Sequence, residues 1–412
     1  MAEQSHLRTD LQEVYAAALA SVDGRACVCK ALHRHEFSSP FNVIAIGKAA
    51  SSMLRGTQDA LSDKVHQGLL ITKYGHVEPG AFPTNINVIE AGHPWPDQAS
   101  LIAGKALLDF ILTSPDDAQL LFLISGGASS LVEVLPDEIT LDGLHTLNDW
   151  LLGSGLDIHV MNQIRKAISC IKGGRLAQRL GGRPASVLLM SDVPGDDPAT
   201  IGSGLLVADR HEPTDVPLEL PVWVDDLMLK GSAVPLSTDR CFGSVRVEII
   251  ARLSDAMRAA ATKGRALGYE VYEHDAILGG DAVTLGRQLA SELLSGPKGL
   301  HVWGGESNVH LPEHPGRGGR NQHLALAAAI ELSGEDDVAF LAAGTDGSDG
   351  PTSDAGAIVD GQTTVRGQVQ ACSVASALSN ADSGSFLAAS GDLIQTGPTG
   401  TNVMDLMLGI KN

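Results

Sequence analysis

The sequence predicts an α/β fold with two domains and mainly parallel, Rossmann-like sheets, and three observations predict it. Short apolar runs rich in β-formers recur, each ends in a Gly-rich polar turn, and a helical pattern follows each turn. Glycine is abundant, at 46 residues, while aromatics make up only 4%, which suits tight strand-to-helix turns better than a β-sandwich. At roughly 150 residues per domain, a chain of this length holds two or three domains.

The elements follow in chain order. Glu3, Asp10 and Glu13 have helical spacing, and the N-terminus lacks the basic-then-apolar layout of a signal peptide. Residues 42–46 read as the first strand, running into Gly47-Lys48-Ala49-Ala50 and a helix over 49–54. Residues 119–124 form a strand that ends in Ser125-Gly126-Gly127, and 186–190 one that ends in the turn 191–197. The stretch 209–241 has Pro213, Pro217, Pro221 and Pro235 and no clean helical period, so it reads as a boundary. The expected domains are therefore 1–240 and 241–412. Beyond the boundary, 244–251 reads as a strand and 254–267 as a helix. Residues 300–303 then lead to a Gly304-Gly305-Glu306 turn, and 338–343 to the turn 344–350. Ligands of parallel sheets sit beyond the carboxyl ends of the strands, where these turns lie.

Composition excludes several classes. Lys+Arg 29 against Asp+Glu 49 gives a net charge of −20, which repels nucleic acid and anionic membranes. A polyanionic substrate must then be held by local bases and backbone amides. Five scattered cysteines fit buried thiols in a reducing cytoplasm and make no disulfide framework. The strongest apolar run, 120–124, is too short to span a bilayer. There is no GxxxxGK[ST] loop, no GxGxxG and no GxSxG, which counts against P-loop enzymes, standard NAD dehydrogenases and esterases.

Several turns could carry chemistry. Ser125, Gly126, Gly127 and Ser129 read as a phosphate cradle or as a plain strand-to-helix turn. Lys48, at a helix N-terminus, opposes the helix dipole and invites an anion, or is a solvated surface lysine. Asp192, Asp196 and Asp197 follow one strand, and Asp346 and Asp349 follow another, with Asp354 beyond. Grouped carboxylates suit Mg²⁺, and single ones cap helices. Arg320, within Gly316 to Gln322, offers a planar fork to phosphate or carboxylate. Arg165, Lys166, Lys172 and Arg175 form a second basic cluster around Gly173-Gly174. His93, in the rigid Gly92-His93-Pro94-Trp95-Pro96-Asp97 turn, reads as structural, and no histidine spacing makes a zinc site.

Together these motifs resemble the glycerate 2-kinases with a C-terminal MOFRL domain, relatives of which have often been labelled hydroxypyruvate reductase. The resemblance spans nearly the whole chain. It rests on Ile46 to Ala49, Gly92 to Asp97, Ser125 to Gly127, Ile171 to Ala177 and Ser191 to Pro198. It continues through Gly304 to Glu306, Gly318 to Gln322, Gly344 to Pro351 and Thr396 to Val403. The resemblance implies ATP-dependent, Mg²⁺-assisted phosphorylation of D-glycerate to 2-phosphoglycerate in a cleft between two α/β domains. Carried over, Lys48, Asp192, Arg320 and Asp349 would be catalytic, and Asp192, Asp346 and Asp349 would bind metal. Ser125, Gly126, Gly127, Ser129, Lys172, Gly173, Gly304, Glu306, Asn321, Thr399 and Asn402 would line the nucleotide phosphates. Leu205-Leu206, Ser307-Asn308, His323 and Met404 depart from the family's usual residues, which bears on substrate preference.

The competing readings are an NAD(P)H-dependent hydroxypyruvate reductase and a non-catalytic nucleotide or sugar-acid binding protein. The absent GxGxxG counts against the first, and the retained Lys48, Asp192, Arg320, Asp346 and Asp349 count against the second. The sequence leaves open whether the chain forms a homo-oligomer.

Overall fold

The computed structural model describes residues 2–34, 41–61, 64–77, 80–156, 158–209 and 220–412. Two compact units emerge: Gly24–Ile250, and Met1–Asp23 joined to Ala251–Asn412. These units do not coincide with a cut at residue 240, because the first residues fold with the last part of the chain. On the helix Ala2–Ser21, the side chains of Leu7, Leu11, Val14, Tyr15 and Ala18 are buried at helical spacing. That face packs on the helix Leu253–Ala266 and on strands of the C-terminal sheet. Polar ties fix it there, with Tyr269 donating to Asp10 at 2.6 Å and Arg8 paired with Asp360 at 2.9 Å. Of the boundary prolines, Pro213 and Pro217 lie outside the described residues.

The unit Gly24–Ile250 contains β1 (Phe41–Ile46), β2 (Val65–Lys73), β3 (Ile86–Ala91), β4 (Gln119–Ile124), β5 (Ala185–Met190) and most of β6 (Val245–Ala251). Their order is β3-β2-β1-β4-β5-β6, and the pairings β3–β2, β2–β1, β1–β4 and β4–β5 are parallel. Every residue of β1 is buried, and all of β4 beyond Gln119, as expected where both faces of a parallel sheet are covered. Ile44, Ile46, Leu69, Ile71, Phe122 and Ile124 centre that core. A smaller core joins the helices Leu141–Gly153 and Ile158–Ala167 through Leu144, Leu147, Leu151, Ile164 and Ile168. The strand order reverses between β1 and β4, so the turns after these two strands flank a topological switch point.

The other unit is also α/β, but its sheet is mixed, which corrects the expectation of mainly parallel strands there. It contains β7 (Val271–Asp281), β8 (Gly299–Asn308), β9 (Val338–Gly344), β10 (Gly356–Asp360), β11 (Leu393–Ile394) and β12 (Asp405–Lys411). In the order β11-β10-β9-β12-β8-β7, only β7–β8 is parallel. The cause is β12, which inserts between β8 and β9 and runs against both. Its pairing also lengthens β8: Gly305 faces Asp405 on one side and Leu278 on the other, so Gly304-Gly305-Glu306 is strand and not turn. Trp303, Phe340, Leu289, Leu324 and Phe386 form the core between this sheet and its helices. No helix among the described residues is long and apolar enough to cross a membrane.

Candidate active site

At the switch point the turn after β1 is stitched to the turn after β4. Ser125 N–H donates to the Ile46 carbonyl at 3.0 Å, and Lys48 N–H to the Gly126 carbonyl at 2.9 Å. The Ser125 hydroxyl, fully buried, accepts from Ala49 N–H at 3.0 Å. Gly47 permits the approach, with φ of +129° and Ser125 Oγ only 2.2 Å from where a Cβ would stand. Ser125 and Gly126 therefore hold the corner together. Gly127 caps the short helix Ala128–Leu131, and a Cβ on it would lie 3.0 Å from the His93 ring and 3.3 Å from Lys48 Cγ. Lys48 and His93 thus both approach Gly127.

Beside Gly127 opens a cavity of about 410 Å³, whose walls include His93, Ser129, Asn148, Arg165 and Lys172. The basic cluster read from the sequence is mostly spent inside the protein. Lys172 is paired with Glu133, both buried, and Glu133 also accepts from the Ser169 hydroxyl at 2.6 Å. Lys166 pairs with Asp209 at 2.7 Å, and Arg175 donates to the carbonyls of Lys166, Lys172 and Ser232. Gly173 N–H donates to the Ser203 carbonyl at 3.0 Å. Lys172 and Gly173 are thus tied into the cavity wall. Ser129 also lines the cavity, with its hydroxyl 2.8 Å from that of Ser203. Arg165 donates from Nε to Asn148 Oδ1 at 3.0 Å, and burial lowers its pKa from the ordinary value.

Asp192 follows β5 and is half-buried. In the same turn Asp197 accepts from Ala199 N–H and the Thr200 hydroxyl, both at 3.1 Å, and so acts as a turn-former.

In the other unit, Asp349 reaches the N-terminus of the helix Arg320–Glu331. Its Oδ1 accepts from Asn321 N–H at 3.1 Å and its Oδ2 from Gln322 N–H at 2.8 Å. Gly319 allows this, because a Cβ there would stand 2.3 Å from the Asp349 carboxyl carbon. Asp349 thus caps this helix end, with each oxygen accepting from a backbone amide. Burial raises its pKa to about 7 against the lowering effect of those amides. Asn321 is fully buried beneath the cap, and its side-chain amide donates to Asp349 Oδ1 at 3.4 Å.

Arg320 forms a bidentate pair with Asp405, at 2.6 and 3.0 Å, and a third contact with Glu306 at 2.6 Å. Its planar fork is used as its chemistry suggests, but on a carboxylate of its own unit. Burial opposes the charge, yet Asp405 and Glu306 raise the Arg320 pKa further. Gly304 lies in β8 with Leu253 and Met257 side chains within 3.0 Å of its Cβ position, so helix packing explains it and the phosphate role is withdrawn. The Thr399 hydroxyl donates to the Thr345 carbonyl at 2.5 Å, which stitches the loop before β12 to the turn after β9. Asn402 is buried in that loop. Beneath this turn the buried Tyr15 donates to the Gly344 carbonyl at 2.6 Å, and burial together with Asp346, Asp405 and Asp349 raises its pKa.

The sequence reading missed Asp405, Glu133 and Asn148. Asp405 alone left a local signal, as a carboxylate two residues beyond the Thr396-to-Val403 motif. Asp346 accepts at Oδ1 from Ser348 N–H and Oγ, at 2.9 and 3.1 Å. Among the described residues no three His, Cys, Asp or Glu side chains gather so as to hold a metal ion. A protein-only metal cage is therefore not what these carboxylates form.

Two family models match the chain: a domain of unknown function, DUF4147, over residues 10–220, and the MOFRL family over 299–405. A D-glycerate 2-kinase of Thermotoga maritima is 35% identical over 378 residues, covering 89% of this chain and 90% of that protein. A protein of Agrobacterium vitis with a provisional hydroxypyruvate reductase label is 34% identical, covering 97% of this chain and 93% of that protein. The crystal structure of a Thermotoga maritima glycerate kinase superposes with a TM-score of 0.84 at 32% identity, covering 99% of this chain and all of that one.

Proposed function

Because the chain belongs to the glycerate 2-kinase family with a C-terminal MOFRL domain, we propose that it phosphorylates D-glycerate at the 2-hydroxyl with ATP as donor. The observation that carries this reading is the corner at Gly127. The corner lies beyond the carboxyl ends of two parallel strands, with Lys48 Cγ and the His93 ring both close to Gly127, and His93 and Gly127 line a cavity of about 410 Å³.

Phosphoryl transfer asks the protein for positioning and charge stabilisation more than for covalent chemistry. The glycerate 2-oxygen attacks the γ-phosphorus, the bond to the ADP oxygen breaks, and the hydroxyl proton passes to a base. Lys48 offsets charge on the transferred group, and the Ser129 hydroxyl orients the acceptor. Asp192, in the same unit, is the proposed base or metal ligand. In the other unit Asp405 and Glu306 fix the plane of Arg320, the second cation proposed for the reaction.

Magnesium fits here as an ion carried on the nucleotide phosphates, which needs only one or two protein carboxylates. Asp192, in the unit of the Gly127 corner, is the proposed one. When bound, the ion neutralises phosphate charge. A cytoplasmic location, expected from the sequence, is part of the same proposal. The test is ADP release with D-glycerate and ATP, run beside NADH oxidation with hydroxypyruvate. ADP formation supports the kinase, while NADH oxidation without ADP would overturn it in favour of the reductase.

A further inference from the structure

We propose that Arg165, aimed by Asn148, clamps the carboxylate of the acceptor substrate and thereby selects hydroxy acids over neutral polyols. This deepens the kinase reading above and rests on it.

The argument starts from charge. Three of the four bases in this region are compensated inside the protein: Lys166 by Asp209, Lys172 by Glu133, and Arg175 by three backbone carbonyls. Arg165 differs. Its one hydrogen bond among the described residues is to the neutral Asn148, and no carboxylate of the described residues pairs with it. A partly buried cation without a counter-charge costs free energy that a bound anion returns.

Geometry agrees. With Nε held by Asn148, the two terminal nitrogens of the guanidinium remain for a ligand, and they form the fork that matches a carboxylate. Asn148 and Arg165 stand on the helices Leu141–Gly153 and Ile158–Ala167, whose shared core of Leu144, Leu147, Leu151 and Ile164 fixes them relative to each other. Both line the cavity that Gly127 and Ser129 also line, so a hydroxy acid held at Arg165 shares that space with the Gly127 corner. Arg165 is thus a substrate-binding residue and Asn148 a positioning residue.

The test compares full-length wild type with Arg165→Ala, Arg165→Lys and Asn148→Ala by initial rates with D-glycerate and ATP. For Arg165→Ala, the KM for D-glycerate should rise roughly 10- to 100-fold, the scale of a lost charge-assisted hydrogen-bonded pair, with the KM for ATP within about twofold. Arg165→Lys keeps the charge without the fork and should still show a rise of about fivefold or more, so it carries the test if Arg165→Ala does not fold. Asn148→Ala should give a smaller rise in the same constant, with kcat little changed. If wild type phosphorylates D-glycerate and both Arg165 variants keep its KM, the clamp is wrong while the kinase stands. If wild type does not phosphorylate D-glycerate, the kinase reading fails and the clamp with it.

Discussion

The guanidinium of Arg320 grips both carboxylate oxygens of Asp405, Nε to Oδ2 at 2.6 Å and a terminal nitrogen to Oδ1 at 3.0 Å. Arg320 is the first residue of its helix, where a cation opposes the helix dipole. Asp405, only 1% exposed, offsets that penalty, and Asp349 caps the same helix end. Arg320 is therefore the partner of a buried acid as well as a proposed catalytic charge.

Two effects of removing it follow, and they can be separated. Arg320→Ala leaves Asp405 buried without its partner and should lower stability by up to about 3 kcal/mol, less than for a fully buried pair because the guanidinium is partly exposed. Arg320→Ala combined with Asp405→Asn should recover most of that loss in thermal melts while turnover stays low. Recovery of turnover along with stability would show that Arg320 serves the fold alone.

Lys48 offers the cleaner catalytic test, since it stands at a turn and fills no core volume. Lys48→Ala should keep the melting temperature within a few degrees and lower kcat roughly 10²–10⁴-fold, the scale for a preorganised charge on a transferring phosphoryl group. Lys105→Ala, an exposed lysine on the helix Gln98–Thr113, serves as control and should change kcat by less than about twofold. Equal rates for the two variants would remove Lys48 from the mechanism.

Asp349 makes stability depend on pH. Its pKa of about 7 lies above the ordinary 3.8, so the folded chain holds a proton that the unfolded chain releases. Its contribution is full below about pH 4 and is lost as pH rises toward 7, with a slope of at most about 1.4 kcal/mol per pH unit. Asp349→Asn retains a capping oxygen and carries no titrating proton, so denaturant titrations should show a flatter stability profile across that window. Indistinguishable slopes would contradict a buried, proton-holding cap.

How much of this was legible in the sequence depends on the range of the interaction. Strands β1, β4, β5 and β9 match their predicted spans to within one residue, because each is a short apolar run closed by a turn. The length of β8 and the direction of β12 were not legible, since both follow from pairing between segments about a hundred residues apart. The same holds for the site. Its turns could be located locally, but whether Asp349 caps or coordinates is decided by a helix that begins 29 residues earlier, and Arg320's partner lies 85 residues away. Charge and motif name the actors, and tertiary structure assigns their partners.

Metal dependence separates a phosphate-borne ion from a resident one. Turnover should vanish in EDTA and return with Mg²⁺ or Mn²⁺, both of which take oxygen ligands, while the melting temperature without ATP should not change on adding EDTA. A large EDTA-induced drop in melting temperature would point to a resident structural metal.

The most direct test of the central claim is the ³¹P NMR spectrum of a reaction of the full chain with D-glycerate, ATP and Mg²⁺. Phosphate on the 2-oxygen couples to one methine proton, and phosphate on the 3-oxygen to two methylene protons. The account predicts a new phosphomonoester doublet that grows in step with ADP. A triplet would contradict phosphorylation at the 2-hydroxyl, and a spectrum with no new phosphomonoester would contradict the kinase itself.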